Sequence, residues 1–328
     1  MKFALPKKYD SLAKAIVGIY GQGVSVQQAE RVSGGDINKA YALYLTNGER
    51  VFMKANEKSN EPFFVAEAAS LCAIAMTNTI GTPKILCVGT DPGQEVGYSF
   101  LLLDFIQSAK PRDDYWEAFG RELAAMHSAD TSAFFDQEQA QEAPQSNGAP
   151  RKQERLQTQE ARFGFFQDNF IGSRPQANAP QKSWISFFRD SRLAPQFKAA
   201  DHYFDEQDRA RVAKLLDRLD GLLVEPEKPS LLHGDLWSGN AMRGPDGKAI
   251  LIDPASYVGH AEADLAMTEL FGGFAPEFYK AYKQARPLQP GYEQRRDLYN
   301  LYHILNHLNI FGKSYLGAAL SIVAEYAD

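Results

Sequence analysis

Over residues 26–54 apolar and polar positions alternate with a period of two, the pattern of half-buried strands. It predicts strands at 26–32, 39–45 and 50–54, the first two joined by Ser33-Gly34-Gly35-Asp36 and the last two by Asn47-Gly48. Asn-Gly between Tyr41, Leu43 and Leu45 on one side and Val51 and Met53 on the other is a hairpin signal. Residues 62–78, rich in alanine, change to a helical pattern that Gly81-Thr82-Pro83 ends. Two more strands, 84–89 and 98–103, flank a turn at Asp91-Pro92-Gly93. The first hundred residues thus predict an antiparallel sheet with one central helix.

After Asp104 the chain turns helical. Asp113 or Asp114 is placed to cap a helix with a stripe at Phe119, Leu123 and Met126. Residues 136–160, rich in Gln, Glu and Pro with Leu156 as the one large apolar residue, read as a mobile surface insertion. A helix at 206–224 buries Val212, Leu215, Leu216, Leu219 and Leu222; strands follow at 230–232 and 248–252 with a polar loop between them. The segment 292–326 reads as two helices, one striped by Leu298, Leu301, Leu305 and Leu308. The expected architecture is α+β in two lobes, a small sheet lobe at 1–104 and a larger, mostly helical lobe at 105–328.

Composition narrows the partners. With 35 basic against 41 acidic residues the net charge is −6, against the basic excess that nucleic-acid binding needs. Two cysteines, Cys72 and Cys87, give neither a disulfide framework nor a metal pattern, which fits a reducing, cytoplasmic setting. No apolar run approaches the length of a membrane span. The oligomeric state is left open.

The stretch from Leu231 through His233-Gly234-Asp235-Leu236-Trp237-Ser238-Gly239-Asn240, followed by Leu251-Ile252-Asp253 at the end of the next strand, carries the chemistry. It has the spacing of a kinase catalytic loop: an Asp, an Asn five residues later, then a second Asp after a strand. Phosphoryl transfer needs a carboxylate at the acceptor hydroxyl, with an amide oxygen and another carboxylate on Mg²⁺. Asp235, Asn240 and Asp253 fit those roles in that order. A turn whose Asp and Asn bond only their own backbone is the plainer reading. Upstream, Gly34 and Gly35 would let backbone N–H groups approach the phosphates of ATP, with Lys54 pairing them as a point charge. Glu67, on the helix face of Leu71 and Ile74, needs a cation, and Lys54 is the candidate. Position in this bilobal, protein-kinase-like pattern puts the adenine-binding hinge at the backbone of Asp104 and Ile106. Asp253 is followed by Pro254, and a new helix pattern starts near Asp264, too soon for a long activation loop.

These motifs resemble the fructosamine (ketosamine) kinases, within the aminoglycoside phosphotransferase-like branch of kinases. The resemblance covers nearly the whole chain apart from 136–160. It is carried by Ser33-Gly34-Gly35, Lys54, Glu67, the 233–240 loop, Ile252-Asp253-Pro254, and Gly259-His260-x-Glu262-x-Asp264-Leu265-Ala266-Met267. Trp237-Ser238 within the loop and the block from Asp168-Asn169 to Pro195-Gln196 are similar to ketosamine kinases in particular. The resemblance implies ATP-dependent phosphorylation of the 3-hydroxyl of ketoamine adducts, free or protein-bound, in deglycation. Relatives that carry a cysteine in the glycine loop differ from this chain, which has Asp36, so no thiol switch is expected there.

The residues suit such a substrate. Trp237 offers a flat face for a sugar, or else is a core tryptophan that closes the loop. Asp168 could attract the amine and Asn169 a hydroxyl, or the two could cap a helix. His233 belongs to the loop and is counted with the substrate contacts. His260, Glu262 and Asp264 read as braces for the loop or caps of the next helix, and His127, His202, His303 and His307 as ordinary histidines without metal spacing. Two alternatives stand beside this reading: a kinase of another hydroxylated amine, such as an aminoglycoside or amino alcohol, and a non-catalytic nucleotide-binding protein. Trp237 and the 168–196 block argue against the first, and intact Lys54, Asp235, Asn240 and Asp253 against the second.

Overall fold

A computed structural model describes residues 5–32, 38–93, 96–135 and 162–327. Gly34, Gly35 and the 136–160 insertion lie outside them. The N-terminal sheet has six strands, β1 (Lys8–Tyr9), β2 (Val26–Val32), β3 (Lys39–Leu45), β4 (Arg50–Glu57), β5 (Ile85–Asp91) and β6 (Tyr98–Asp104), in the order β1-β5-β6-β4-β3-β2. Asn47-Gly48 closes the β3–β4 hairpin as its sequence requires, with Gly48 N–H donating to Leu45 O at 2.9 Å and Glu49 N–H to Asn47 Oδ1 at 3.1 Å. The sheet is antiparallel except at β1, which runs parallel to β5. That strand and helix α1 (Leu12–Tyr20) were not legible: two residues are too short for alternation to register. Among the described residues the N-lobe therefore holds two α-helices, α1 and α2 (Glu61–Met76), rather than one.

Helix α2 is apolar nearly all round. Phe64, Ala68 and Leu71 pack on Val88, Leu101 and Leu103 of the sheet, whereas Ala69, Ala73 and Ile74 join the core of the C-lobe. It is thus a wall shared by both lobes. Its Glu67 is carried on this wall, opposite Lys54 in the interior of β4, which runs three residues beyond the strand end expected at 54.

In the C-lobe, α3 (Tyr115–Ser128) starts at Asp114, and a short hairpin, β7 (Asn169–Ile171) and β8 (Arg174–Gln176), precedes α4 (Trp184–Phe188). A π turn at Arg189–Leu193 leads into α5 (Ala194–Ala200), and α6 (Glu206–Leu222) follows with a capping box at Asp205 and Asp208. Strand β9 (Ser230–Leu232) pairs antiparallel with β12 (Tyr257–Gly259), and β10 (Ala241–Arg243) with β11 (Ala249–Leu251). Behind them pack α7 (Ala261–Leu270), α8 (Pro276–Ala285), α9 (Tyr292–Phe311) and α10 (Leu316–Ala327). The leucine stripe 298, 301, 305 and 308 of α9 is fully buried, leaving the opposite face of that helix for other work. Among the described residues no helix is long and apolar enough to cross a membrane.

Candidate active site

The site is built on the loops that leave β9 and β11. Gly234 holds φ +83°, and a Cβ there would strike the carbonyl of Ala255, so glycine lets the two loops run side by side. Ala255 N–H donates to His233 O at 2.9 Å and Ile252 N–H to Asn240 O at 3.0 Å. Between these ties Asp253 adopts φ +56°, a left-handed conformation uncommon outside glycine and one that persists only where the surroundings impose it.

Lys54 Nζ donates to Glu67 Oε1 at 2.6 Å and to Asp253 Oδ1 at 2.5 Å, joining β4, α2 and the loop after β11. Burial works against its charge, but the two carboxylates outweigh it and hold the ammonium pKa above the usual lysine range. Asn240 spends its Nδ2 hydrogens on Asp235, on the backbone carbonyl at 2.9 Å and on Oδ2 at 3.1 Å. Its Oδ1 has no hydrogen-bond partner among the described residues. Burial pushes the Asp235 carboxyl up to about 7; the Asn240 bond opposes this, and the negative charges of Asp253 and Asp264 add to it.

Lys54, Glu67, Asp235, Asn240 and Asp253 line one cavity of about 560 Å³ between the lobes. The pairing of Lys54 with Glu67 follows the sequence expectation. Trp237 lines the same cavity and lies over Gly239 so closely that a Cβ there would collide with the indole.

Other expected contacts turn out to be structural. His233 is fully buried; its Nε2 meets Ile252 O at 2.9 Å and its Nδ1 faces Asp235 N–H at 3.3 Å, so it fixes the loop rather than meeting substrate. Asp168 is outside the cavity lining, its Oδ1 accepting from Asn178 N–H at 2.7 Å in the β7–β8 hairpin region rather than at a helix cap. Asn169 reaches the cavity wall, yet its amide is spent on Ser256 O and Gln176 Nε2, which ties the hairpin to the loop after Asp253. Asp104 and Ile106 do not line the cavity, and Asp104 is occupied by Lys84: its N–H donates to Lys84 O and its Oδ1 accepts from Lys84 N–H.

The brace expected at 260–264 is present. Asp264, 2% exposed, accepts from His233 N–H at 2.6 Å, Gly234 N–H at 2.9 Å and His127 Nε2 at 3.2 Å. Burial pushes this carboxyl up, but those donors outweigh it and hold it below the ordinary carboxylate range. Glu262 forms a bidentate pair with Arg295 at 2.7 and 2.8 Å, and His260 caps α7.

Sequence reasoning did not find the outer wall of the cavity, where Phe271, Asn306, His307, Phe311 and Tyr315 come from α7, α9 and the turn before α10. The signal was present: His303, His307 and Phe311 recur every fourth residue on the face of α9 that the leucine stripe does not use.

A lysine clamped by two carboxylates, facing an Asp–Asn pair across an interlobe cavity in a bilobal α+β fold, defines a kinase-like phosphotransferase. The fold is shared with an aminoglycoside phosphotransferase (TM-score 0.51, 17% identical, covering 96% of this chain and 99% of that one), a likeness that bears on the fold alone. A putative fructosamine-3-kinase from Haemophilus somnus superposes with a TM-score of 0.77 at 27% identity, covering 96% of each chain. The family model described as fructosamine kinase matches residues 9–152 and 149–328. A probable ketoamine kinase of Synechocystis is 38% identical over 98% of this chain and 97% of its own, and a mouse ketosamine-3-kinase 34% identical over 92% and 96%. The chain belongs to the fructosamine kinase family.

Proposed function

We propose that the protein transfers the γ-phosphoryl group of ATP to the 3-hydroxyl of a ketosamine of the ribulosamine or fructosamine type, with Mg²⁺ as metal. The observation that carries this reading is the single cavity in which Lys54 bridges Glu67 and Asp253 opposite the hydrogen-bonded Asp235–Asn240 pair. Family membership supplies the substrate class.

Asp235 orients the acceptor hydroxyl and accepts its proton late in transfer, when the oxygen has become acidic. Its elevated pKa suits a group that must hold a proton at the end of the step. Asn240 keeps the Asp235 carboxylate in place through Nδ2. Lys54 holds the phosphates as a point charge, and Glu67 keeps Lys54 extended toward them. The residues fit Mg²⁺: Asn240 Oδ1 and the Asp253 carboxylate are hard oxygen donors on one wall, two protein ligands of the kind this ion takes beside phosphate oxygens. When bound, the ion neutralises charge developing on the transferred group. Trp237 gives the sugar ring an apolar face, and the loop geometry around Gly239 fixes the indole plane. Gly34 and Gly35 are assigned to the phosphates by their motif alone, and Asp104 and Ile106, which do not line the cavity, are given no role toward the adenine.

The test is ATP-to-ADP turnover with Mg²⁺ against ribulosyl-lysine, fructosyl-lysine, an aminoglycoside and no acceptor, with Asp235→Asn alongside. Turnover with ketoamines, lost by orders of magnitude in the variant, is expected. A folded, ATP-binding protein that turns over only the aminoglycoside overturns the substrate assignment; an active Asp235→Asn overturns the role of Asp235.

A further inference from the structure

The outer wall of the cavity is a cluster of aromatic rings. Phe271 lies 5.1 Å from His307 between centroids, and His307 in turn lies 5.4 Å from Phe311 and 5.1 Å from Tyr315; Phe271 also meets Trp237 edge-on at 6.3 Å. Among the described residues only Val96, Trp237, Phe271 and Phe311 are large hydrophobics left exposed, and three of these four stand on this rim. Exposed apolar surface gathered at one cavity mouth marks a binding surface.

Charge says what kind. Among its described lining residues the cavity has three carboxylates, Glu67, Asp235 and Asp253, and one cation, Lys54, which is held by two of them. Among the described residues the rim brings no lysine or arginine into the cavity. His307 adds no positive charge either: burial lowers its pKa, and its Nδ1 meets His303 O at 2.7 Å, which places the ring proton on Nδ1 and leaves Nε2 as a lone pair. Electron-rich faces and one acceptor, under a negative cavity, suit a cation.

Distance says which cation. His303, one turn before His307 on α9, sits with Nδ1 3.9 Å from Asp235 Oδ1. The four-residue rise from His303 to His307 along α9 is about 6 Å. In an extended ketosamine the amine nitrogen lies about 5 Å from the 3-oxygen. With that oxygen at Asp235, the nitrogen reaches the level of His307. We propose that Phe271, His307, Phe311 and Tyr315 form the subsite for the protonated secondary amine of the acceptor, with Nε2 of His307 accepting its N–H and the amine's substituent leaving over Phe311. This deepens, and rests on, the ketosamine reading above.

The test compares fructosyl-lysine with its N-acetyl counterpart, neutral at that nitrogen, using wild type, Phe311→Ala, Phe271→Ala, Phe311→Trp and His307→Phe. Both phenylalanines are about half exposed, at 53% and 43%, so their truncation leaves the core packed. Expected are a rise of about 5- to 30-fold in KM for fructosyl-lysine in the alanine variants with KM for ATP unchanged, and rescue in Phe311→Trp. In His307→Phe the preference for the charged over the acetylated substrate should shrink. Unchanged KM and unchanged preference, in a wild type that does phosphorylate fructosyl-lysine, overturn the subsite and leave the activity standing. If wild type turns over no ketoamine, the activity reading fails, and saturation-transfer NMR of fructosyl-lysine decides the subsite: a signal lost in Phe311→Ala upholds it, and no signal in wild type overturns it.

Discussion

Replacing Asp264 by asparagine should show how far the catalytic loop depends on a residue that touches no substrate. The wild-type carboxylate accepts three hydrogen bonds with its two oxygens: Oδ2 takes His233 N–H at 2.6 Å and His127 Nε2 at 3.2 Å, and Oδ1 takes Gly234 N–H at 2.9 Å. An amide has one oxygen. Placed best, it keeps the two bonds at Oδ2, now without charge assistance, and sets its NH₂ against Gly234 N–H. One buried donor is orphaned at about 1–3 kcal/mol and two bonds are weakened, for a total near 3 kcal/mol. The loss falls on the backbone that carries Asp235. A displacement of that carboxylate by a fraction of an ångström should lower kcat about 10- to 100-fold, with KM for ATP nearly constant. Urea unfolding gives the stability change and initial rates at saturating ATP give kcat. An Asp264→Asn protein within about 0.5 kcal/mol of wild type, the range of ordinary surface changes, with kcat unchanged, would refute the bracing role.

Further expectations concern neighbouring groups. Gly239→Ala drives a methyl into the Trp237 indole, so ketoamine KM should rise at least about tenfold while nucleotide affinity, measured with a fluorescent ATP analogue, stays put. Lys54→Met leaves Glu67 and Asp253 without their cation; ATP KM should increase by one to two orders of magnitude, and stability by urea unfolding should fall by about 3 kcal/mol. Burial lowers the His260 pKa to about 3, against about 6.5 in the unfolded chain, so protons favour unfolding below pH 6.5 and the histidine's contribution is full only above it. Between pH 6.5 and 5 this costs about 2 kcal/mol. His260→Asn keeps an acceptor at the α7 N-cap but does not titrate, so its stability deficit relative to wild type should shrink by that amount over the interval; a gap independent of pH would contradict the assignment.

What could be read from the sequence was whatever local spacing encodes. Asp235, Asn240 and Asp253 are fixed by short loops between short strands, and Lys54 and Glu67 by a strand interior and a helix face, so their convergence followed from periodicity. The first twenty-five residues gave no such signal, because β1 spans two residues and α1 nine. Asp168 and Asn169 looked like ligands because their side chains are polar; in the fold, that polarity is spent holding a hairpin against residues 176–178 and 256. The aromatic rim was hidden for the converse reason. Its members are apolar and spread from 271 to 315, and histidines on a helix with a strong leucine stripe read as core until tertiary packing shows which face is left over.

The double burial of α2 has a consequence for control. In kinases whose corresponding helix rests on the sheet alone, rotating it breaks the lysine–glutamate pair and turns the enzyme off. Here one side of the helix is sunk in the sheet core and the other in the C-lobe core; Ser70 Oγ accepts from Ser256 N–H, and Phe63 stacks on Phe170 at 3.8 Å. Swinging the helix would tear both cores at once, a cost comparable to the stability of a whole domain. Rotating α2 to part Lys54 from Glu67 would therefore disrupt packing in both lobes at once.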